Sequence, residues 1–188
     1  MSWHGLGFVL VLTVLAGCSA KEDASNSANA DSPVDNAALA KLAVSSAAFQ
    51  DGQPIPAQYT CDGAGQSPAL AWGEPPAETK SFALIVDDPD APGGVFRHWG
   101  AYDLAASTRS LAAGQSVGIQ AINGFGKAGY GGPCPPPGRG THHYHFKLYA
   151  LSVARLELPP NSKVEEVEIE ARKHAIAGGE LVGTYGRG

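Results

Sequence analysis

Residues 87–92 read Asp-Asp-Pro-Asp-Ala-Pro: three carboxylates within four residues, stiffened by two prolines, directly behind the apolar run Ser81–Val86. Asp and Pro also build ordinary surface turns, so the stretch is either such a turn or part of a site. A carboxylate cannot attract an anion, but it can orient an imidazole and favour its cationic form. Six histidines are available, among them His98, His142, His143 and His145. His143 and His145 would share one strand face, a permissible metal pair, yet alternating polar residues on a solvated face give the same pattern; no metal is expected. Asp88 and Asp90 lie on one short segment, whereas a glycosidase needs carboxyls roughly 5–9.5 Å apart across a cleft. Cys134 is flanked by prolines, and no G-x-S-x-G elbow is present. Gly124, Gly126 and Gly129 match G-x-G-x-x-G literally, but they run into Gly132-Pro133-Cys134-Pro135-Pro136-Pro137, which cannot open a helix onto a pyrophosphate. That loop is better suited to walling a pocket, and no cofactor is expected.

The elements that must position these residues follow from periodicity. Lys80–Asp88 predicts a strand buried largely on both faces, and Arg97–Leu104 the next strand, entered through the turn at Gly93-Gly94. Val117–Asn123 is a weaker strand candidate. In His142–Val153, Tyr144, Phe146, Leu148 and Ala150 fall on one face and His143, His145, Lys147 and Tyr149 on the other. By parity His142 sits at the rim of the apolar face, beside Tyr144. Ser162-x-x-Glu165 reads as a capping box, with Val164, Val167, Ala171 and Ala175 on one helical face and Gly178-Gly179 as the stop. Strands first and one late helix predict a mainly β, antiparallel domain.

The chain of 188 residues carries 24 Gly, 14 Pro and 3 Cys, with 13 basic against 18 acidic side chains and a net charge of −5. No Lys/Arg cluster offers a phosphate-tracking surface, so nucleic acid is not an expected partner. Phe8 to Val14 is apolar and too short to span a bilayer, and it leads into Leu15-Ala16-Gly17-Cys18. Residues 1–17 are therefore expected to form a leader. Ser19 to about Ala43, rich in Ser, Ala, Asn and Asp, is expected to be a flexible tether contributing no core, with the folded domain over 44–188. Cys61 and Cys134 remain as either a reduced pair or a disulfide.

Leu15–Cys18 resembles the lipobox of bacterial lipoproteins, which implies cleavage before Cys18, its lipidation, and an envelope location. Ser19 after that cysteine leans toward the outer membrane, facing the periplasm. Asp-Pro-Asp-Ala-Pro at 88–92, His98-Trp99, Gly129–Gly138 and His142–Leu151 resemble the phosphatidylethanolamine-binding protein (PEBP) family, in its bacterial Raf-kinase-inhibitor-like branch. Ile55–Gly63, Ser67–Trp72 and Gly179–Arg187 extend the likeness across about 49–187. The resemblance implies an antiparallel β-sandwich with a C-terminal helix and small peripheral helices. It also implies an anion-binding pocket bordered by Asp88, Pro89, Asp90, Ala91, Pro92, His98, Trp99, Gly132, Cys134, Pro135, His142 and Tyr144, with Tyr185 contributing from the C-terminal segment. His143 stands where the family usually has Arg, and by parity it points away from the pocket. Such a pocket binds and generates no nucleophile, so the expectation is a binding protein for a phospholipid head group or other phosphorylated ligand, not an enzyme. The alternative is an inhibitory or regulatory protein that binds a kinase or peptidase.

Overall fold

The computed structural model describes residues 39–188. The expected leader, Cys18 and all but the end of the tether lie outside them. In chain order the strands are β1 (Ala40–Lys41), β2 (Val44–Ser45), β3 (Gln53–Pro54), β4 (Leu70–Trp72), β5 (Ser81–Asp88), β6 (Phe96–Ala105), β7 (Ser110–Leu111), β8 (Ile119–Gln120), β9 (Thr141–Leu151) and β10 (Ala175–Gly186). A 3-10 turn at Ala57–Tyr59 precedes β4, and helix α1 (Val164–His174) separates β9 from β10.

The large sheet runs β1-β10-β9-β5-β6-β8, with β3 also on β10; the small one runs β2-β4-β7. Pairing is antiparallel except where β1 and β3 lie parallel to β10. Phe82, Leu84 and Val86 of β5 and Tyr144, Phe146 and Leu148 of β9 pack against Leu70, Trp72 and Leu111 of the small sheet. The opposite face carries Ala83, Ile85 and Tyr149, covered by Val164, Val167 and Ala171 of α1. Covered twice, β5 buries all eight of its side chains, as its continuous apolar run requires. The expected alternation in β9 is present: His142, Tyr144, Phe146, Leu148 and Ala150 are buried and His143 is exposed.

Three expectations are corrected. The ordered chain does not begin at Val44, because β1 pairs with β10 and Leu42 is buried in the core at 6% exposure. The helix starts one residue late, since Glu166, not Glu165, reaches back to the Lys163 amide at 2.7 Å, while the Ser162 hydroxyl donates to the Pro159 carbonyl. It also ends early. Ala175 opens β10 instead of extending the helical face, and Gly178-Gly179 lie within that strand. A Cβ on Gly179 would stand 2.1 Å from the Leu42 carbonyl oxygen, so this glycine lets β1 approach and does not stop a helix.

Leu42→Ala should lower the urea unfolding free energy by about 2–4 kcal/mol, the usual range for truncating a buried leucine. A domain beginning at Val44 should be destabilised at least as much relative to one beginning at Leu39.

Candidate functional site

The three carboxylates at the end of β5 have three destinations. The pleat sends Asp87 to the helix side, where it accepts bonds from Arg97 at 2.6 Å and Lys147 at 2.8 Å. Buried Glu168 of α1 joins them, paired with Arg97 and with Arg172. Asp88 points the other way. Its Oδ2 lies 2.8 Å from Nδ1 of His142, both side chains being 4% exposed, and its Oδ1 accepts the Asp90 amide at 2.9 Å. Asp90 stands outside the fold. Its Oδ2 accepts the amide of His143 at 2.9 Å and meets Nδ1 of the same residue at 2.7 Å. The bonds to His143, the side-chain one first, hold the Asp90 carboxyl below its ordinary range.

Asp88 and His142 form the base of a cavity of about 190 Å³, lined also by Ala91, Pro92, Phe96, His98, Phe125, Cys134, Pro135 and Pro136. His98, from β6, donates Nδ1–H to the Gly131 carbonyl at 2.7 Å. Burial pushes its pKa below the ordinary imidazole value, opposed by that carbonyl and by the charge of Asp88. A carbonyl can only accept, so Nδ1 carries the proton and the neutral ring offers Nε2 as a lone pair. The same logic orients His142 through the Asp88 carboxylate. Tyr144 packs its ring edge-on against His98, with centroids 5.2 Å apart. Its hydroxyl is buried without a hydrogen-bond partner, and burial first, then Asp88, keep it protonated well beyond the ordinary tyrosine range.

The outer wall is held from a second loop. Cys61 and Cys134 form a disulfide, the Cys61 amide donates to the Pro133 carbonyl at 3.1 Å, and the Tyr130 hydroxyl donates to the Tyr59 carbonyl at 2.9 Å. Gly132 allows this approach, since a Cβ there would meet Tyr59 O at 2.9 Å. Asp62 accepts from the Tyr185 hydroxyl at 2.7 Å and pairs with Arg187 at 3.0 Å.

Of the residues expected at the site, Asp88, Ala91, Pro92, His98, Cys134, Pro135 and His142 converge on the cavity. Asp90 does not; it is bonded to His143. Pro89 borders the groove on the helix side. Trp99 lines a different cleft, its Nε1 donating to Gln120 at 2.8 Å and its ring edge-on to Tyr130. Gly132, Tyr144 and Tyr185 do not line the cavity: Gly132 abuts Tyr59, Tyr144 packs on His98, and Tyr185 is bonded to Asp62. Phe96, Phe125 and Pro136 were not anticipated. Phe96 was within reach, because it shares the parity of His98 two residues later on β6; nothing in the glycine-rich loop singles out Phe125. His143 and His145 are bonded separately, to Asp90 and to Glu180 at 2.8 Å.

Two larger grooves, of about 580 and 500 Å³, lie on the helix side. Their charged groups are largely paired with one another: Lys147 and Arg97 with Asp87, and Arg172 with Glu168. The small cavity, whose two imidazoles are oriented through Nδ1 and, among the described residues, make no protein hydrogen bond through Nε2, is the better candidate.

A family profile described as phosphatidylethanolamine-binding protein matches residues 45–186. A UPF0098 protein of Aquifex aeolicus is 47% identical over 152 residues, covering 78% of this chain and 89% of its own length. The "Putative lipoprotein LppC" of Mycobacterium tuberculosis is 44% identical over 146 residues, covering 77% of this chain and 72% of its own length. Among solved structures, a PEBP homologue of Chlamydia trachomatis superposes with a TM-score of 0.73 at 39% identity, over 79% of this chain and 99% of that one. YbcL of Escherichia coli, described as a member of the mammalian PEBP family, superposes with a TM-score of 0.74 at 33% identity, over 79% and 100%.

The disulfide links positions 73 apart in sequence. Closing a loop of that size stabilises by about 4 kcal/mol in the chain-entropy account, less any strain. Cys61→Ser should lower the unfolding free energy by that order. Alkylation of the native protein under non-reducing conditions, followed by mass spectrometry, should label neither Cys61 nor Cys134.

Proposed function

The chain belongs to the phosphatidylethanolamine-binding protein family, and on that premise we propose that its cavity binds a phosphoryl or other small anionic group, as on a phospholipid head group. One observation carries the reading. Two imidazoles, fixed through Nδ1 by Asp88 and by the Gly131 carbonyl, belong to the same small cavity. When protonated, each Nε2 becomes a hydrogen-bond donor to an anion. The arrangement suits binding without chemistry: among the lining residues no hydroxyl or free thiol stands ready as a nucleophile, and Cys134 is in the disulfide.

Anchorage of this domain to the cell envelope through Cys18, probing periplasmic ligands, completes the proposal. It is supported by the Leu15–Cys18 pattern and by similarity to a relative named as a lipoprotein. Among the described residues no helix is long and apolar enough to cross a membrane. Cys18→Ala should leave an uncut precursor that takes up no labelled fatty acid; a variant processed and released at the normal size would overturn the anchor.

Because burial depresses the pKa of His98, the folded domain resists a proton that the unfolded chain accepts near pH ~6.5. Its contribution to stability is therefore present above that pH and lost as pH falls toward the folded value. A bound anion reverses the preference by favouring imidazolium. Affinity for glycerophosphoethanolamine, whose phosphodiester does not titrate here, should accordingly rise as pH falls through the interval between the anion-bound and the lower free value of the folded imidazole, with proton uptake visible as a buffer-dependent calorimetric enthalpy. Affinity and enthalpy that ignore pH and buffer between about 5 and 8 would overturn the imidazolium reading.

Removing a charged hydrogen bond costs about 1.5–3 kcal/mol, so His98→Ala and His142→Ala should each weaken binding roughly ten- to a hundredfold. Asp88→Asn should weaken it as well, although it removes a negative charge beside an anion, because the orienting carboxylate is lost. Asp90→Asn, facing outward, should change it little. Tighter binding in Asp88→Asn would mean that the carboxylate merely repels.

A further inference from the structure

The cavity is polar on one side only. Asp88, His98 and His142 supply its ionisable groups, and the remaining wall is apolar, with Phe96 and Phe125 as its largest members. An inorganic anion would satisfy the imidazoles and leave that wall without a partner. Phe125 is the one exposed large hydrophobic side chain of that wall, at 47%.

Its position is built, not incidental. Buried Asn123 organises the loop: its Oδ1 accepts the amides of Phe125 at 2.9 Å and Lys127 at 3.2 Å, and its Nδ2 donates to the Gly129 carbonyl at 2.8 Å. The Phe125 ring stands edge-on to Phe96 at 4.8 Å and to His98 at 5.6 Å between centroids. A Cβ on Gly131 would lie 2.5 Å from the ring, so the wall closes on Phe125 only because residue 131 is glycine. Loop hydrogen bonds, a glycine and two aromatic contacts thus hold a half-exposed apolar ring beside the imidazole of His98.

We propose that Phe125 is a specificity-determining residue. Its ring receives the apolar organic substituent carried by the phosphoryl group, so the cavity selects organic phosphoesters with such a substituent over inorganic phosphate. The inference rests on the anion-binding reading above, from which Phe125 follows as the second half of recognition: the imidazoles read the charge and the ring reads what the charge is attached to. Edge-on and stacked contacts between rings are worth enough to give about three- to tenfold in affinity.

Calorimetric titration of the full chain with inorganic phosphate and with phenyl phosphate tests this, using wild type, Phe125→Ala and Phe125→Leu. Wild type should bind phenyl phosphate about three- to tenfold more tightly than inorganic phosphate. In Phe125→Ala that ratio should collapse toward unity, and in Phe125→Leu, which keeps an apolar side chain in the loop, part of it should remain. A ratio unchanged in Phe125→Ala, or phosphate binding in wild type with no preference for the ester, overturns the role of Phe125 and leaves the anion site standing. Failure of wild type to bind either ligand overturns the anion site and this inference with it.

Discussion

The buried contact between Asp88 and His142 is the constraint on which this end of the molecule depends. The β5–β9 backbone ladder runs out at Asp87 opposite His145. One residue later, a carboxylate and an imidazole, each 4% exposed, continue the join with side chains. Leaving either partner alone in that environment costs about 1–3 kcal/mol or more, so neither is free to turn to solvent. The chain then reverses through residues 89–95, with Asp88 also gripping the Asp90 amide and Asp90 gripping His143 from outside. β6 therefore starts at a fixed place, and His98 arrives beside His142.

The two faces of the sheet treat charge in opposite ways. On the helix side Asp87 and Glu168 are buried among Arg97, Lys147 and Arg172, and this network ties α1 to β5, β6 and β9. Removing one member would strand a buried charge, which is far costlier than its share of net stability. On the cavity side the polar groups are oriented by protein partners through one nitrogen each. That difference, more than the size of the depressions, separates a packing device from a binding site.

Much of this was legible in the sequence. The alternation of β9 places His142 beside Tyr144 and turns His143 outward, and the uninterrupted apolar run of β5 requires cover on both faces. The failures have physical causes. β10 reads poorly as a strand because Gly179 and Gly183 occupy it, small for the sake of chain segments packed against them. Leu42 reads as part of the tether because Leu39 and Leu42 stand among alanines at the end of a Ser-, Asn- and Asp-rich stretch, too few large apolar residues to set a strand or helix period, and its place in the core goes with the close approach that Gly179 allows. Spacing alone put Asp87, Asp88 and Asp90 in one knot, whereas the pleat and the turn divide them among three environments. Trp99, adjacent to His98 in sequence, necessarily faces away from it on an extended strand.

The disulfide joins two exposed cysteines, one of which lines the cavity. Cytosolic reductants keep such thiols apart, whereas an oxidising envelope lets them pair. Before translocation, the wall formed by Cys134 and Pro135 would rest on the Cys61–Pro133 backbone bond and the Tyr130 hydroxyl, without its covalent tie. In the exported protein proposed above, maturation of the cavity is then tied to the compartment. A newly made chain would carry the acids and imidazoles through the cytoplasm in a looser setting, and the recognition surface would become rigid only on arrival.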